Sequence, residues 1–208
     1  KVDLPQPRDR LDPSFRELVE QIYVRMTTRP GAQRPSPRAE RAPAAGIGAI
    51  LPPVSTNLLS GLMEAVAAPP YGGTAALPEI ARLLHMEIDD LFPVAETLQM
   101  MRFAELAGGD IALTEAGRHF AEAELGPRKH LFAQHLLAYV PLAAHIRRVL
   151  DERATHTAPK TRFGDELEDF MTAKVAEDTL RAVISWGRYA EVFAYDDQAG
   201  RFSLENPS

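Results

Sequence analysis

A mainly α fold with small β-hairpins, arranged as tandem winged-helix-like units, is what this 208-residue sequence predicts. Three observations carry that expectation. Apolar residues recur at helical spacing through most of the chain after residue 47. Two short stretches, 103–113 and 190–204, read as hairpins closed by turn residues. Each hairpin follows the same order of elements: a helix, a short helix and a capped helix.

Taken in order, Phe15, Leu18, Val19, Ile22 and Met26 predict a helix over 13–27 behind the Asp12-Pro13 start signal. A helix so short is marginal alone in water, so its apolar stripe needs a packing partner. Residues 29–46 are rich in Pro, Arg and Ala and nearly free of large apolar side chains, the composition of a flexible linker. The helix before it is therefore expected to close a preceding domain. These readings divide the chain into 1–28, a linker 29–46, a first unit 47–127 and a second unit 128–208.

Within the first unit, Leu58, Leu59, Leu62, Met63 and Val66 predict a helix over 55–67, stopped by Pro69-Pro70 and Gly72-Gly73. Pro78 suits the first turn of a short helix over 78–85. Asp89 or Asp90 is placed to cap a helix over 89–101, and Thr114 to cap a helix after the hairpin. The second unit repeats the scheme with helices over 128–138, 142–153 and 162–171. Thr172 caps a further helix over 173–188, and a hairpin runs from Ala190 to Tyr195 and from Arg201 to Leu204. Arg102-Phe103-Ala104-Glu105-Leu106 and Arg188-Tyr189-Ala190-Glu191-Val192 stand where helix passes into hairpin, which reads as a repeated unit, with chance reuse of a helix-to-strand junction as the alternative.

Composition excludes several chemistries. There is no cysteine, hence no disulfide, thiolate metal site or cysteine nucleophile among these residues. No apolar run approaches the ~20 residues of a membrane span. The phosphate-cradling G-x-x-x-x-G-K-[ST] loop, the dinucleotide G-x-G-x-x-G and the G-x-S-x-G nucleophile elbow are all missing, so no catalytic or cofactor-binding residue is nominated. The six histidines are His85, His119, His130, His135, His145 and His156. His130 and His135 are five apart, which on a helix points them about 140° from each other, not onto one metal. Surface or capping roles are expected of them. Glu87, Asp89 and Asp90, and Asp165, Glu166, Glu168 and Asp169, match no calcium-loop spacing and read as solvated helix faces. Trp186, Tyr189, Phe193 and Tyr195 read as core, although such a run can also line a ligand box.

Charge addresses nucleic acid. Residues 1–45 carry nine Lys/Arg and six Asp/Glu, whereas 46–208 carry fourteen and twenty-three. An acidic body is a poor match for a phosphate backbone. The helix expected to enter a DNA groove in the first unit, Asp89 to Met101, has no Lys or Arg, and neither has its hairpin. The second, Lys174 to Arg188, offsets Lys174, Arg181 and Arg188 with Glu177 and Asp178. Protein surface is the expected partner, with a DNA-binding regulator as the alternative.

Asp12-Pro13-Ser14-Phe15-Arg16-Glu17-Leu18-Val19 resembles the closing helix of ATP-binding subunits of nitrate/sulfonate/bicarbonate-type ABC importers. Glu105 to Phe120, and Glu166 to Tyr195 with Ile184-Ser185-Trp186-Gly187-Arg188-Tyr189-Ala190-Glu191, resemble the C-terminal AAA-associated domain carried by some of them. That resemblance implies a non-catalytic accessory module without cofactor or metal. Its partners would be the upstream ATP-binding domain of the same polypeptide, an ABC permease or a second copy of itself. It would lie in the cytoplasm, reaching the inner face of the membrane only through the transporter.

Overall fold

A computed structural model of the chain describes residues 46–204. The helix expected over 13–27 and nearly all of the linker expected over 29–46 lie outside them. Among the described residues there are eight helices and two three-stranded antiparallel sheets, and no helix is long and apolar enough to cross a membrane.

The first half opens with α1 (Thr56–Ala67), where the Ser55 hydroxyl accepts from the Leu58 N–H and Leu59, Leu62, Met63 and Val66 are buried. Then follow β1 (Thr74–Ala76), α2 (Leu77–Leu83), α3 (Ile88–Met100), β2 (Ala104–Ala107) and β3 (Asp110–Leu113). Gly108 and Gly109 close the β2–β3 hairpin at φ 62° and 90°, where two positive values match the twist of the strands. Thr114 caps α4 (Glu115–Glu122), its hydroxyl accepting from the Gly117 N–H at 3.1 Å. The second half comprises α5 (Leu125–Tyr139), α6 (Pro141–Glu152), β4 (Thr157–Pro159), α7 (Lys160–Glu168), α8 (Ala173–Tyr189), β5 (Ala194–Asp196) and β6 (Arg201–Ser203).

The halves repeat in hydrogen bonds as well as in order. The sheets run β1-β3-β2 and β4-β6-β5. Thr74 pairs with Ala112 and Ala75 with Ile111, as Thr157 pairs with Ser203 and Ala158 with Phe202. The Leu77 N–H donates to the Gly109 carbonyl at 3.0 Å, and the Lys160 N–H donates to that of Gly200 at 2.8 Å. Leaving the long helices, the Phe103 N–H reaches the Leu98 carbonyl at 2.8 Å, and the Val192 N–H reaches that of Gly187 at 3.0 Å. Arg102 and Glu191 occupy the left-handed position between, at φ 63° and 56°. The equivalent of Arg102 is therefore Glu191, not Arg188. The matched pentapeptides are three residues out of structural register, and the repetition lies in the backbone.

Other boundaries differ from the sequence reading too: the helix expected over 162–171 is α7 over Lys160–Glu168, and the one expected over 78–85 is α2 over Leu77–Leu83. α3 starts at Ile88 after Glu87, which makes no side-chain cap. Asp89 and Asp90 fall in its first turn, where carboxylates favour the helix dipole. α5 starts three residues earlier than expected because Pro127 lies in its first turn, where a missing N–H costs nothing. β5 starts at Ala194, since residues 190–193 complete the helix stop.

One hydrophobic cluster runs through both halves. Phe132 of α5 is central: its ring lies 6.1 Å from those of Phe103 and Phe120, and edge-on to Tyr189 at 5.1 Å. Phe202 gathers Phe163, Phe193 and Tyr195 at 4.9–5.3 Å. Gly61, inside α1, has open space where a β-carbon would stand. Gly61→Ala is expected to stabilise the fold by about 0.5–1 kcal/mol through reduced backbone entropy of the unfolded chain, read from chemical denaturation.

Candidate interaction surfaces

The solvent face of α3 presents Asp89, Asp90, Glu96 and Gln99, and the adjoining hairpin presents Glu105 and Asp110. This periodicity follows from burial of Leu91, Val94, Ala95 and Leu98 on the opposite side. Neither element contributes a cation to the face. Arg102, the first one after the helix, sits at its left-handed exit.

α8 presents a different surface. Lys174, Arg181 and Arg188 are seven residues apart, a spacing that keeps them nearly in line, with about 20° of drift per step. Acids interrupt that line. Arg181 lies 3.2 Å from Asp178 and 3.9 Å from Glu177, Arg188 lies 3.0 Å from Asp197, and Lys160 of α7 pairs with Glu177 at 2.6 Å. The result is a charge mosaic.

The β5–β6 turn is organised by Asp196, whose Oδ1 accepts from the Ala199 N–H at 3.0 Å and the Gln198 N–H at 2.8 Å. These two bonds hold its carboxyl below the ordinary aspartate range. The turn contribution is complete above the unfolded aspartate value of about 3.9 and is lost as pH falls through the lower folded value. Carboxyl-carbon NMR is expected to find Asp196 titrating below that value, and Asp196→Asn to remove this part of the acid dependence.

A groove of about 470 Å³ lies between one face of α5 (Leu125, Lys129, Ala133, Leu137) and the α8–β5 turn. Its size suits a small molecule. Its cations are already engaged: Lys129 pairs with Glu191 at 2.6 Å, and Arg147 reaches Asp151 at 3.1 Å and the Val192 carbonyl at 3.0 Å.

The histidines are dispersed. His135 Nδ1 donates to the Met101 carbonyl at 2.7 Å and its ring stacks on Phe103 at 4.3 Å, joining α5 to the end of α3. His156 Nδ1 donates to the Leu150 carbonyl at 3.0 Å. His130 contacts Gln134 instead of His135. His145 joins α6 to α7: Nε2 donates to Glu166 at 2.6 Å and Nδ1 accepts from Arg148 at 2.9 Å. His85 and His119 are exposed. Among the described residues no three His, Asp or Glu side chains are grouped to hold a metal ion. Of the acidic runs, Glu87, Asp89 and Asp90 face solvent, as do Asp165, Glu168 and Asp169, while Glu166 turns toward His145 and Arg162. Trp186, Phe193 and Tyr195 are buried and Tyr189 half-buried, each packed on protein. Burial pushes the Tyr195 hydroxyl up from its ordinary range, against the lowering influence of Lys160.

One connection had no sequence signal. Arg128 of α5 pairs with Glu64 of α1, donates to the Ala121 carbonyl at 3.1 Å and lies over the Phe120 ring at 5.2 Å. It is a structural clamp among three helices.

Compared with family models, residues 78–196 match the C-terminal AAA-associated domain, from α2 to the end of β5. Neither the curated proteins nor the solved structures give a match. With more than half of its length matched, and with the fold on which that match falls now described, the chain belongs to the C-terminal AAA-associated domain family.

Proposed function

We propose that this chain is a tandem winged-helix-like accessory module without catalysis of its own. In this reading it regulates the ATP-binding subunit of an ABC importer of the nitrate/sulfonate/bicarbonate type through protein contacts. The family assignment supports an accessory role beside an ATPase. The repeated order of helix, strand, two helices and a two-stranded hairpin supports the winged-helix reading. The observation that carries the choice of partner is the face of α3 and its hairpin, with exposed Asp89, Asp90, Glu96, Glu105 and Asp110 and no Lys or Arg. A helix that reads DNA needs cations at those positions. The module works in the cytoplasm, next to the membrane through its transporter. Its contacts are with the ATP-binding domain of the same polypeptide, the permease or a second copy. Regulation requires that docking favour one state of the ATPase over another.

Deleting residues 46–208 from the full polypeptide is expected to change its ATPase and uptake rates. Rates unchanged at every substrate level overturn the regulatory reading. The rival, a winged-helix DNA-binding regulator, draws on the aligned Lys174, Arg181 and Arg188 of α8. A salt-sensitive shift of duplex DNA at micromolar protein would establish it instead.

A further inference from the structure

The repeat sets two equivalent helix exits against one helix, and α5 fills only the first of them. The Phe103 N–H returns to the Leu98 carbonyl as the Val192 N–H returns to that of Gly187, so Met101 and Phe103 correspond to Ala190 and Val192. At the exit of α3 the His135 ring of α5 takes up the space, donating to the Met101 carbonyl at 2.7 Å and stacking on Phe103 at 4.3 Å. At the exit of α8 the same helix lines the corresponding place with Gly126 and Ala133, which are too small to fill it. A β-carbon on Gly126 would meet nothing within 4 Å. The groove of about 470 Å³ is what remains, and Leu125 at its edge is 63% exposed.

Charge says what kind of molecule fits. Residues 46–208 carry fourteen Lys/Arg against twenty-three Asp/Glu, yet the groove reverses that balance. Lys129, His130 and Arg147 line it, with Glu191 as the one carboxylate. Neither fixed cation is saturated. The Lys129 ammonium has three hydrogens and gives one to Glu191 at 2.6 Å. Arg147 gives Nε to Asp151 at 3.1 Å and Nη1 to the Val192 carbonyl at 3.0 Å, and its Nη2 has no partner among the described residues. The Glu191 side chain is 56% exposed, and an ion pair so open to water adds little to stability, so an entering anion displaces it at small cost. We propose that this groove binds a small organic anion, a flat apolar body bearing one carboxylate, which takes at the exit of α8 the place that His135 takes at the exit of α3. The body packs on Leu125, Ala133 and Val192, and the carboxylate accepts from Lys129 and Arg147.

Binding there needs no ATPase partner, so it is measured on the 208-residue chain itself. Benzoate is the probe, since ligands of its size support dissociation constants of about millimolar in an open groove. Amide NMR at neutral pH is expected to show saturable shifts at Gly126, Ala133, Ala190 and Val192 by about 20 mM benzoate, with sodium chloride as the ionic-strength control. Benzyl alcohol, which keeps the ring and loses the charge, should bind at least about tenfold more weakly. Lys129→Gln should weaken benzoate by about tenfold through the lost charged donor. Glu191→Gln should strengthen it about threefold, because it removes a like charge and frees Lys129. Lys174→Gln, on an exposed part of α8 outside the groove, should change nothing, and the amide spectra themselves report that each variant is folded. The proposal is overturned by any of four results: no saturable shifts by about 20 mM benzoate, shifts that follow the salt control or lie away from the groove, equal binding of benzyl alcohol, or an affinity indifferent to Lys129→Gln and Glu191→Gln.

Discussion

Trp186→Ala is expected to destabilise the body by about 3–5 kcal/mol, a large share of the roughly 5–15 kcal/mol that holds a domain folded. The side chain is fully buried. Its indole N–H donates to the Val54 carbonyl at 2.7 Å, tying α8 to the segment that leads into α1 across 132 residues of sequence. Truncation opens a cavity too large for its neighbours to fill and strands a buried carbonyl. Trp186→Phe separates the two contributions. It keeps much of the ring but not the donor, so about 1–3 kcal/mol should remain as the cost of the orphaned Val54 carbonyl. Urea denaturation followed by circular dichroism measures both, since the chain has no other tryptophan to report by fluorescence. A loss below about 1 kcal/mol for Trp186→Ala would mean that the indole does not hold the two ends together.

That contact also marks where the sequence stops being legible. Thr114 and Thr172 announce their helices because a cap and the apolar stripe behind it are local signals, and both hydroxyls accept from the N–H three residues on. β1 and β4 carry no such signal. Each is three residues long and is a strand only because a hairpin distant in sequence pairs with it. Their sole trace is a Thr-Ala pair, Thr74-Ala75 and Thr157-Ala158, before each short helix. Similar letters at 102–106 and 188–192 suggested repetition, but the backbone repeats three residues away from that match. Of the surfaces, the acidic face of α3 was readable because it depends only on composition along one helix. The packing of the exposed Phe170 on Gly48 was not, because the two residues lie far apart in the sequence. Properties of single elements can be read from sequence. Properties made by pairs of distant elements need the fold.

Gly117→Ala tests such a pair where no side chain can yield. Gly117 stands in the first turn of α4, and a β-carbon there would lie 2.1 Å from the Phe103 carbonyl oxygen and 3.1 Å from its carbon. A flexible side chain could rotate away. This carbonyl cannot, because it accepts from the Thr114 N–H at 3.0 Å and from the Thr114 hydroxyl at 3.1 Å, the same hydroxyl that caps α4. Relief requires α4 to lift from the exit of α3, which loosens the cap as well as the Phe103–Phe120 ring contact at 5.4 Å. Overpacking of about 1–3 kcal/mol and a lost cap of about 1 kcal/mol give an expected destabilisation of roughly 2–4 kcal/mol. Gly61→Ala, with the same chemical change in an open position, should move stability the other way, so the difference isolates the contact from the generic effect of an added methyl. Chemical denaturation of the two variants side by side decides it. Equal stability for both would show that α4 does not rest on the Phe103 carbonyl.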